Sequence, residues 1–468
     1  MKTDRRNFLK STGLAGIGLA GGSLLQAETA VVHEREKKYS HPPFNMCGYA
    51  APKLDRVRIG FIGLGNRGPD AVARMRRIEG VDIKAICDIR PEKVNAVKKA
   101  LEGSIHQPTV YTGGEEEWKK ICERPDIDLV YIATPWSLHT PMAVYAMNQG
   151  KHACTEVPAA KTLEECWQLV ETSERTRKHC MILENCCYDF FELLTLNMVR
   201  QGLFGKILHG EGAYIHNLFE GNFSKTKYYD MWRLKENFRN GNLYPTHGLG
   251  PVAQALNINR GEKMEELVSV STADLMMGAR ATALAAVDDF YKPYAGRKFR
   301  GNMNNTSIRT NSGYSIQLQH DVTSPNIYSR IYKISGTLGA ALKYPLPGKI
   351  NFGGEEWLNP TQYAEMENKY MPAIVRKVGE LAKQVGGHGG MDFIMDWRTI
   401  DCLRNGLPLD IDVYDAAAWS SIAPLSEWSV ANQSKPIAMP DFTSGFWKTN
   451  QPVDILLEKG GNTNVIVS

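Results

Sequence analysis

The side chains best suited to proton transfer in this chain stand together in one short turn, residues 242–248. The turn contains the phenol of Tyr244 and the imidazole of His247, with Pro245 and Thr246 between them. Tyrosine and histidine can act as general acids or bases when they are placed beside a reacting atom. Because a tyrosine and a histidine three positions apart are more often structural, the turn is a candidate acid/base cluster and not a diagnostic motif.

Aromatic and hydrogen-bonding residues suited to a sugar occur in the same half of the chain. They are Tyr214, Trp232, Arg233 and Tyr328. Small-molecule sites combine aromatic or apolar walls with a few placed polar groups, and these residue types supply both. None of them is diagnostic alone, but together they favour a sugar ligand near the candidate acid/base cluster.

A second constellation, nearer the N-terminus, is typical of dinucleotide binding. The apolar run 56–62 leads directly into Gly63, Gly65 and Gly68, which have the spacing G-x-G-x-x-G. In this fingerprint the glycines permit a tight turn, a close approach of backbone to a pyrophosphate, and packing of the next helix. The N-terminus of that helix then faces the phosphates with free N–H groups.

The fingerprint is completed by an acidic residue after the next predicted strand, 81–87. Asp88 stands twenty positions after Gly68, where a carboxylate binds the ribose hydroxyls of NAD. Because Asp88 would repel the extra phosphate of NADP, the sequence predicts NAD. Arg90 lies close to Asp88 and makes this preference for NAD over NADP a moderate one. The alternative is a glycine turn in an unrelated α/β unit, and the pairing of the two signals disfavours it.

Polar residues also follow later predicted strands on the same edge of the sheet, where open α/β sheets bind their ligands. Trp136 and His139 are placed to flank the nicotinamide ribose, although His139 taken alone would be read as a helix-cap histidine. Glu156 is a candidate for binding a ribose or sugar hydroxyl. Asn185 is placed for a cofactor contact, and a simple turn asparagine is nearly as favoured.

Other reaction classes lack their motifs in this sequence. His139, His216 and His247 are possible metal ligands, but no H-E-x-x-H or Cys/His spacing surrounds them, and no metal is predicted. The sequence contains no G-x-S-x-G nucleophile elbow. Its nine cysteines form an odd and scattered set, which is not a disulfide framework.

Alternating strand and helix patterns between residues 56 and 184 predict a Rossmann domain with a doubly wound parallel sheet. Besides 56–62 and 81–87, the predicted strands are 129–133, 152–155 and 179–183. The predicted helices are 69–78, 91–101, 115–122, 141–149 and 163–178.

The pattern changes near residue 185. We expect residues 185–468 to form a substrate-binding α+β domain with an open, mostly antiparallel sheet. Its predicted strands are 206–216, 267–272, 314–320 and 328–334. Its predicted helices are 190–201, 391–404 and 413–432.

The first 27 residues are typical of a twin-arginine export signal, which would take the protein to the periplasm. Arg5 and Arg6 precede a weakly apolar, glycine-rich run, 14–25, that is too short for a stable membrane span. Residues 28–55 are interpreted as a polar linker. The signal holds three of the four net positive charges, so the remaining chain, near +1, gives no basis for binding nucleic acid or a membrane surface.

With these residues in hand, the first domain resembles the glucose-fructose oxidoreductase and inositol dehydrogenase superfamily. The matching segments are Gly63–Gly68, Asp88, Thr134–His139 and Thr155–Pro158. Dehydrogenases of that superfamily commonly carry Glu-Lys-Pro, whose lysine assists hydride transfer, whereas this chain has Val157 at the lysine position. The usual Asp-x-x-x-His pair is also absent, and Tyr244–His247 stands in its region. A plain dehydrogenase with these changes would lack its expected proton relay.

The chain from its signal to Asp441 resembles glycoside hydrolase family 109, the NAD-dependent α-N-acetylgalactosaminidases, and it shares their atypical valine. Other matching segments are Leu183–Asn185, Met198–Arg200, Tyr244–Gly248, His388–Asp392 and Pro424–Glu427. The resemblance implies a hydrolysis that proceeds through a transient oxidation of the sugar. It is an exception to the usual glycosidase mechanism, which uses two carboxylates. NAD takes hydride from C3 of the sugar, a base removes the C2 proton, the aglycone leaves from C1, water adds, and the hydride returns.

The resemblance also implies roles for individual residues. Tyr244 and His247 would transfer protons at C3 and C2, in an order that the sequence leaves open, while Arg233 is an alternative for positioning a hydroxyl or acetamido oxygen. The implied sugar site is Tyr214, Arg233, Tyr244, Pro245, Thr246, His247 and Tyr328. The implied NAD site, besides the three glycines, is Asn66, Arg67, Asp88, Trp136, Ser137, Leu138, His139, Glu156, Val157 and Asn185.

Two other functions stay open on the sequence alone. A periplasmic sugar oxidoreductase is disfavoured by Val157, and a non-catalytic sugar sensor is disfavoured by the polar cluster Tyr244–His247. The expected partner is a glycan or smaller substrate with a terminal α-linked N-acetylgalactosamine. An open sheet face would also suit a homo-oligomer.

Overall fold

The computed structural model describes residues 44–466 as two sheets surrounded by helices. The predicted signal and most of the predicted linker lie outside the described residues. Residues 44–55 form no helix or strand and lie against the C-terminal helices, where the N–H of Met46 donates to the Tyr414 hydroxyl at 3.0 Å. Among residues 44–466, no helix combines the length and apolar character that crossing a bilayer demands.

The first sheet has six parallel strands. They are β1 Val57–Ile62, β2 Val81–Asp88, β3 Thr109–Thr112, β4 Leu129–Ile132, β5 His152–Thr155 and β6 Cys180–Ile182. The helices between them are α1 Gly68–Met75, α2 Pro91–Ala100, α3 Glu117–Glu123, α4 His139–Asn148 and α5 Leu163–Thr176. The strand order β3-β2-β1-β4-β5-β6 confirms the predicted doubly wound parallel sheet. The sequence pattern did not predict β3, because none of its four residues is buried.

The ligand crevice of this sheet opens between β1 and β4, where the strand order reverses. Gly63, the first residue after β1, has a φ of 92°, and a Cβ there would lie 2.6 Å from the carbonyl carbon of Ala133 after β4. Only glycine combines that backbone conformation with so close an approach. The turn is therefore fixed both by its own dihedral angle and by the neighbouring strand.

The second sheet has eight strands. They are β7 Ile207–Ile215, β8 Met264–Ser271, β9 Asn304–Thr310, β10 Ser315–Asp321, β11 Tyr332–Gly336, β12 Ala340–Lys343, β13 Lys349–Asn351 and β14 Ile437–Ala438. Their order is β13-β12-β11-β7-β10-β9-β8-β14, and every adjacent pair is antiparallel except β7 with β10. The predicted mostly antiparallel sheet is confirmed. The strand predicted over 328–334 begins later, since Ile331 has a positive φ of 41° that interrupts extended backbone.

The helices of the second half are α6 Phe190–Arg200, α7 Phe219–Asn222, α8 Trp232–Glu236, α9 Thr246–Ala255, α10 Met277–Ala285, α11 Pro360–Tyr370, α12 Ala373–Val385, α13 Met391–Asn405 and α14 Val413–Ala431. Helix α9 positions the candidate acid/base cluster. It packs against β7 so closely that a Cβ at Gly212 would lie 2.3 Å from the carbonyl oxygen of Gly248. The turn before α9 is thereby held beside the end of β7.

Helix α14 joins the two sheets. It packs against α5 and β6 on one side and against β8 on the other. Trp419 in this helix is 0 % exposed, and the buried apolar residues of both sheets belong to one continuous core. The shared helix and core set the relative position of the two sheet edges that carry the candidate site.

All nine cysteines are free, and eight of them are buried. Burial raises the pKa of Cys154, Cys166 and Cys402 well above the ordinary value. Since the thiolate is the reactive form, these buried thiols are chemically inert. The structure agrees with the interpretation that the cysteines do not form a disulfide framework.

Candidate active site

One cavity of about 990 Å³ extends from the glycine turn of the first sheet to the turn before α9. It is large enough for more than one small ligand group. The predicted NAD-site residues in its wall are Gly63, Gly65, Asn66, Arg67, Asp88, Trp136, Leu138, His139, Glu156, Val157 and Asn185. The predicted sugar-site residues in its wall are Tyr214, Arg233, Tyr244 and His247.

Five predicted site residues lie outside the cavity wall. Gly68 is buried at the start of α1, and Ser137 is exposed in a short 3-10 turn. Pro245 and Thr246 are buried at the start of α9. Tyr328 is partly exposed, and its ring packs edge-on against the aromatic residues of the sugar half. These residues support the site from behind or beside it.

The imidazole of His247 is held by a buried carboxylate. Its Nδ1 lies 2.7 Å from Oε1 of Glu184, which also accepts the N–H of Cys186 at 3.1 Å. Although burial raises the pKa of Glu184, the interactions with His247, Thr246 and the N–H of Cys186 together outweigh it and lower that pKa below the ordinary value. A carboxylate at Nδ1 fixes the tautomer of the ring and leaves Nε2 to accept or donate a proton. Sequence reasoning assigned no role to Glu184, which lies 63 positions from His247.

Two tyrosines stand beside this pair. The ring of Tyr244 lies 4.9 Å from that of His247 and 4.4 Å from that of Tyr214. Burial raises the pKa of both tyrosines, so the phenols are protonated at neutral pH and can donate hydrogen bonds. The Tyr214 hydroxyl lies 3.0 Å from Nδ1 of His216, whose pKa is lowered by burial to about 4, so this histidine is a neutral acceptor.

Arg233 has no carboxylate partner among residues 44–466 and is enclosed by aromatic rings. Its guanidinium carbon lies 5.4 Å from the ring centroid of Trp136 and 5.5 Å from those of Tyr228 and Tyr244. Burial opposes the charge, but the nearby tyrosine hydroxyls raise the pKa of Arg233 overall. A guanidinium held on aromatic faces keeps its N–H donors available for a ligand oxygen.

The adenosine half of the predicted NAD site is built around Asp88 at the end of β2. Its Oδ2 accepts the N–H of Leu64 at 2.8 Å, and its Oδ1 accepts Nε–H of Arg90 at 3.0 Å. The first bond ties the glycine turn to β2, and the second holds Arg90 on the carboxylate that is predicted to bind the ribose hydroxyls. With the bare backbone of the glycine turn and the N-terminus of α1, this arrangement fits a dinucleotide.

A buried ionic network lies behind the glycine turn. Arg67 donates to Oε1 of Glu156 and to Oδ2 of Asp392, both at 3.1 Å. Asp392 also accepts Nδ2–H of Asn185 at 2.5 Å and lies 2.9 Å from Nδ1 of His388. Asp392, for which the sequence predicted no role, therefore connects two predicted NAD-site residues, Arg67 and Asn185, and Arg67 adds a third, Glu156. The signal that was available was the His388–Asp392 segment, which carries part of the family resemblance.

His139 has the geometry of a structural histidine. Its Nδ1 lies 2.7 Å from the carbonyl oxygen of Pro158, and its Nε2 lies 2.8 Å from that of Thr134. Burial lowers the pKa of His139, while the hydrogen bonds to the two carbonyl oxygens oppose that shift. Both ring nitrogens face the backbone, and the side chain shapes the cavity wall without offering a polar atom to a ligand.

One group in the described part of the chain brings metal-ligand atoms close together. The ligand atoms of Glu184, Cys186 and His247 all lie within 4.8 Å of one another. Burial raises the pKa of the Cys186 thiol well above its ordinary value, whereas metal ligation needs the thiolate. Since Glu184 is already bonded to His247, this group is better suited to orienting the imidazole than to binding a cation.

The fold and the cavity together define an NAD-binding enzyme whose cavity extends from the glycine turn of the first sheet to the turn before α9. Residues 57–184 match the family model of the oxidoreductase family, NAD-binding Rossmann fold. Residues 188–449 match the model of the glycosyl hydrolase 109 C-terminal domain. The chain belongs to glycoside hydrolase family 109 and is an NAD-dependent glycoside hydrolase, so the predicted family and cofactor are confirmed.

Similar proteins cover nearly the whole chain. Glycosyl hydrolase family 109 protein 1 of Phocaeicola vulgatus is 46% identical, over 93% of this chain and 95% of the relative. An alpha-N-acetylgalactosaminidase of Bacteroides fragilis is 49% identical, over 86% of this chain and 96% of the relative. Both alignments include the two sheets, so the family assignment does not depend on the Rossmann domain alone.

Solved structures share the fold at low sequence identity. Levoglucosan dehydrogenase in complex with NADH and levoglucosan has a TM-score of 0.60 and 18% identity, over 82% of this chain and 100% of that chain. Scyllo-inositol dehydrogenase from Lactobacillus casei with bound NAD(H) and scyllo-inositol has a TM-score of 0.58 and 15% identity, over 82% and 99%. These likenesses establish the two-sheet architecture.

The role of Asp88 can be measured directly. We expect Asp88→Asn to weaken NAD binding by about tenfold to a hundredfold, because a neutral amide loses the charge-assisted hydrogen bonds to the ribose. Asp82→Asn is a matched control in the same strand, where Asp82 makes only a 3.1 Å surface pair with Lys84. The measurement is the NAD content after gel filtration. Equal NAD contents in the two variants would contradict the assignment.

Proposed function

We propose that this enzyme hydrolyses terminal α-N-acetylgalactosaminides through a transient oxidation of the sugar at C3. The observation that carries the proposal is the carboxylate-held imidazole of His247, beside Tyr244, in the same cavity as the glycine turn. The likeness to an alpha-N-acetylgalactosaminidase supports the sugar class. Glu184 is bonded to His247, so it does not serve as a free carboxylate for direct attack on the sugar.

The glycine turn and Asp88 would hold NAD, which would supply the hydride acceptor for C3 and the hydride that, with a proton on the C3 oxygen, restores the hydroxyl at the end of each turnover. The chain's own residues would manage the protons that this chemistry releases and consumes. The C3 hydroxyl loses its proton as the ketone forms, and the ketone makes the C2–H acidic. Removal of the C2 proton expels the aglycone from C1, which leaves as an alcohol after taking up a proton. Water then adds across the C1–C2 double bond, giving OH to C1 and H to C2.

His247 is the residue best placed to act as the base, because Glu184 holds its Nδ1 and stabilises the imidazolium that forms at Nε2. Tyr244 is protonated and stands ring to ring with His247, so it can exchange a proton with a sugar oxygen. Arg233 would bind a hydroxyl or acetamido oxygen and hold the ring in position. Val157 lines the cavity where superfamily dehydrogenases carry a lysine, which leaves the proton transfers to Tyr244 and His247 at the start of α9.

One assay distinguishes this function from the alternatives. Purified protein is given 4-nitrophenyl α-N-acetylgalactosaminide in D₂O, with no added NAD. We expect release of 4-nitrophenol and deuterium at C2 of the sugar. Accumulation of reduced cofactor at 340 nm without release would instead favour a sugar oxidoreductase, and sugar binding with neither signal would favour a sensor. The matching α-galactoside tests whether the acetamido group is required.

We also propose that residues 1–27 export the folded, NAD-loaded protein to the periplasm by the twin-arginine route. The buried free cysteines support folding in a reducing compartment before export. We expect Arg5→Lys combined with Arg6→Lys to hold the protein in the cytoplasm of the native host. Lys2→Arg combined with Lys10→Arg is the control and should leave export unchanged. Cell fractionation measures both, and equal export of the two double variants would contradict the proposal.

A further inference from the structure

A separate unit, here named the cap, covers one side of the cavity. It consists of residues 219–238 and 277–299, and its apolar cluster is distinct from the main core. The buried residues of that cluster include Leu234 from the first segment and Met277 from the second. The Tyr291 hydroxyl also donates to the carbonyl oxygen of Phe223 at 2.6 Å, which joins the two segments. The cap is therefore a small structure held together by its own contacts.

The first segment of the cap reaches the dinucleotide side of the cavity. Nδ2–H of Asn66, in the glycine turn, donates to the carbonyl oxygen of Lys227 at 3.3 Å. The ring of Tyr229 lies 5.2 Å from the guanidinium carbon of Arg90, which is bonded to Asp88. Lys227 and Tyr229 both line the cavity. A segment from the substrate half of the chain thus contacts both ends of the dinucleotide fingerprint.

Lys227 differs from the neighbouring lysines in its partners. Lys225 pairs with Asp288 at 2.5 Å, and Lys235 pairs with Asp230 at 2.6 Å. Lys227 has no carboxylate partner among residues 44–466, and it lines the cavity next to the glycine turn. The Lys227 ammonium lies 5.7 Å from the centroid of the Tyr228 ring, and its flexible side chain can turn toward a phosphate at the glycine turn, with which a charge-assisted hydrogen bond is strong. A phosphate bound there would be held by the ammonium together with the N-terminus of α1, which already favours an anion.

We propose that the cap retains NAD, with Lys227 binding the pyrophosphate and Tyr229, together with Arg90, covering the adenosine. Arg90 leaves Asp88 when the ribose hydroxyls bind, and it then stays on the ring of Tyr229. This inference rests on NAD binding and not on which bond of the sugar is cleaved. Retention of NAD suits the proposed cycle, because the cofactor ends each turnover in the form in which it began and does not need to be exchanged.

The test measures NAD release from the full-length holoenzyme into an excess of a competing NAD analogue. We expect Lys227→Met to raise the dissociation rate about tenfold to a hundredfold through loss of one charge-assisted hydrogen bond. We expect Tyr229→Ala to raise it about tenfold through loss of stacking. Lys292→Met and Phe290→Ala are the matched controls in the same cap, since Lys292 pairs with Asp289 in its own turn, and Phe290 and Tyr229 are 44% and 46% exposed. Both controls should release NAD at the wild-type rate.

A second readout does not depend on the variants. Hydrogen–deuterium exchange of the wild-type protein, with and without NAD, should show NAD-dependent protection of residues 224–232 and little change over residues 277–299. Wild-type release rates in both Lys227→Met and Tyr229→Ala, or protection confined to the first sheet, would overturn the proposal. A protein that retains NAD through its cap and yet releases no 4-nitrophenol would overturn only the proposed hydrolysis.

Discussion

His247→Ala should lower kcat for α-N-acetylgalactosaminide cleavage by about 10²- to 10⁴-fold and leave the NAD content unchanged. The range is the usual contribution of a positioned general acid or base. His247 contacts Glu184, Tyr244 and Tyr214, and none of these three is among the predicted NAD-site residues. Loss of the imidazole therefore removes proton transfer and not cofactor binding. Steady-state kinetics and NAD content, measured on the same sample, check both halves of the expectation.

A second variant and a matched control test the role of His247 further. Glu184→Gln keeps the size of the side chain but removes the charge that orients His247, so kcat should fall while Nε2 stays present. His209→Ala is the matched control, because His209 lies on β7 with a side chain that is 31% exposed and bonded to Ser315. Its kcat should equal that of the wild type. Retention of more than about a tenth of the wild-type kcat by His247→Ala would contradict the role of general base.

Asp392→Ala should lower the free energy of unfolding by about 3–5 kcal/mol, the usual cost of removing one partner from a buried ion pair. Asp392 is 0 % exposed, and it lies 3.5 Å from Nη1 of Arg74, which is 3% exposed. Without it, Arg74 keeps only Asp396, at 2.7 Å, and Arg67 loses one of its two carboxylates. Because Arg67 and Asn185 line the cavity, NAD retention should fall as well. Urea unfolding in the absence of NAD separates the two effects.

The control for this variant is Asp289→Ala. The Asp289 side chain is 86% exposed and makes a surface pair with Lys292 at 2.9 Å, so its removal should change the free energy of unfolding by less than about 0.5 kcal/mol. The acid dependence gives a second check. Burial raises the pKa of Asp392, but His388 and the two arginines outweigh it and hold that pKa far below the ordinary value. The stabilisation from Asp392 is thus present above its unfolded pKa of about 3.9 and is lost as the pH falls toward the folded pKa. An equal effect of the two substitutions would show that the buried network is not stabilising.

The parts of the site that the sequence predicted are those encoded by neighbouring residues. The glycine turn follows directly on an apolar strand, and Asp88 ends the next one, so spacing alone indicated their geometry. Tyr244 and His247 were found because they share a turn. Glu184 and Asp392 were not assigned roles, because each acts on partners far away in sequence, which only the packing of α9 and α13 brings near.

The cap and several helices were missed for local reasons. Helix α9 contains Gly248, Gly250 and Pro251, residues that normally indicate a turn. Helices α7 and α8 have only four and five residues, too few to show a helical period, and they are separated by a segment with left-handed backbone at Asp230 and Met231. The sequence of the cap was therefore interpreted as part of a long connection between strands. Their pairing with 277–299 is a tertiary contact that no local pattern predicts.

Helix α14, which packs on both sheets, limits how far the two sheets can move relative to each other. A hinge motion that separated the two sheets would expose Trp419 to water and divide the shared hydrophobic core. The free-energy cost of that exposure exceeds the few kcal/mol that are available to domain motions. We therefore expect sugars to enter a cavity whose two sheet edges keep a nearly constant separation. The turnover rate would then be limited by the chemical steps or by release of the sugar product, and not by a rigid-body opening of the two sheets.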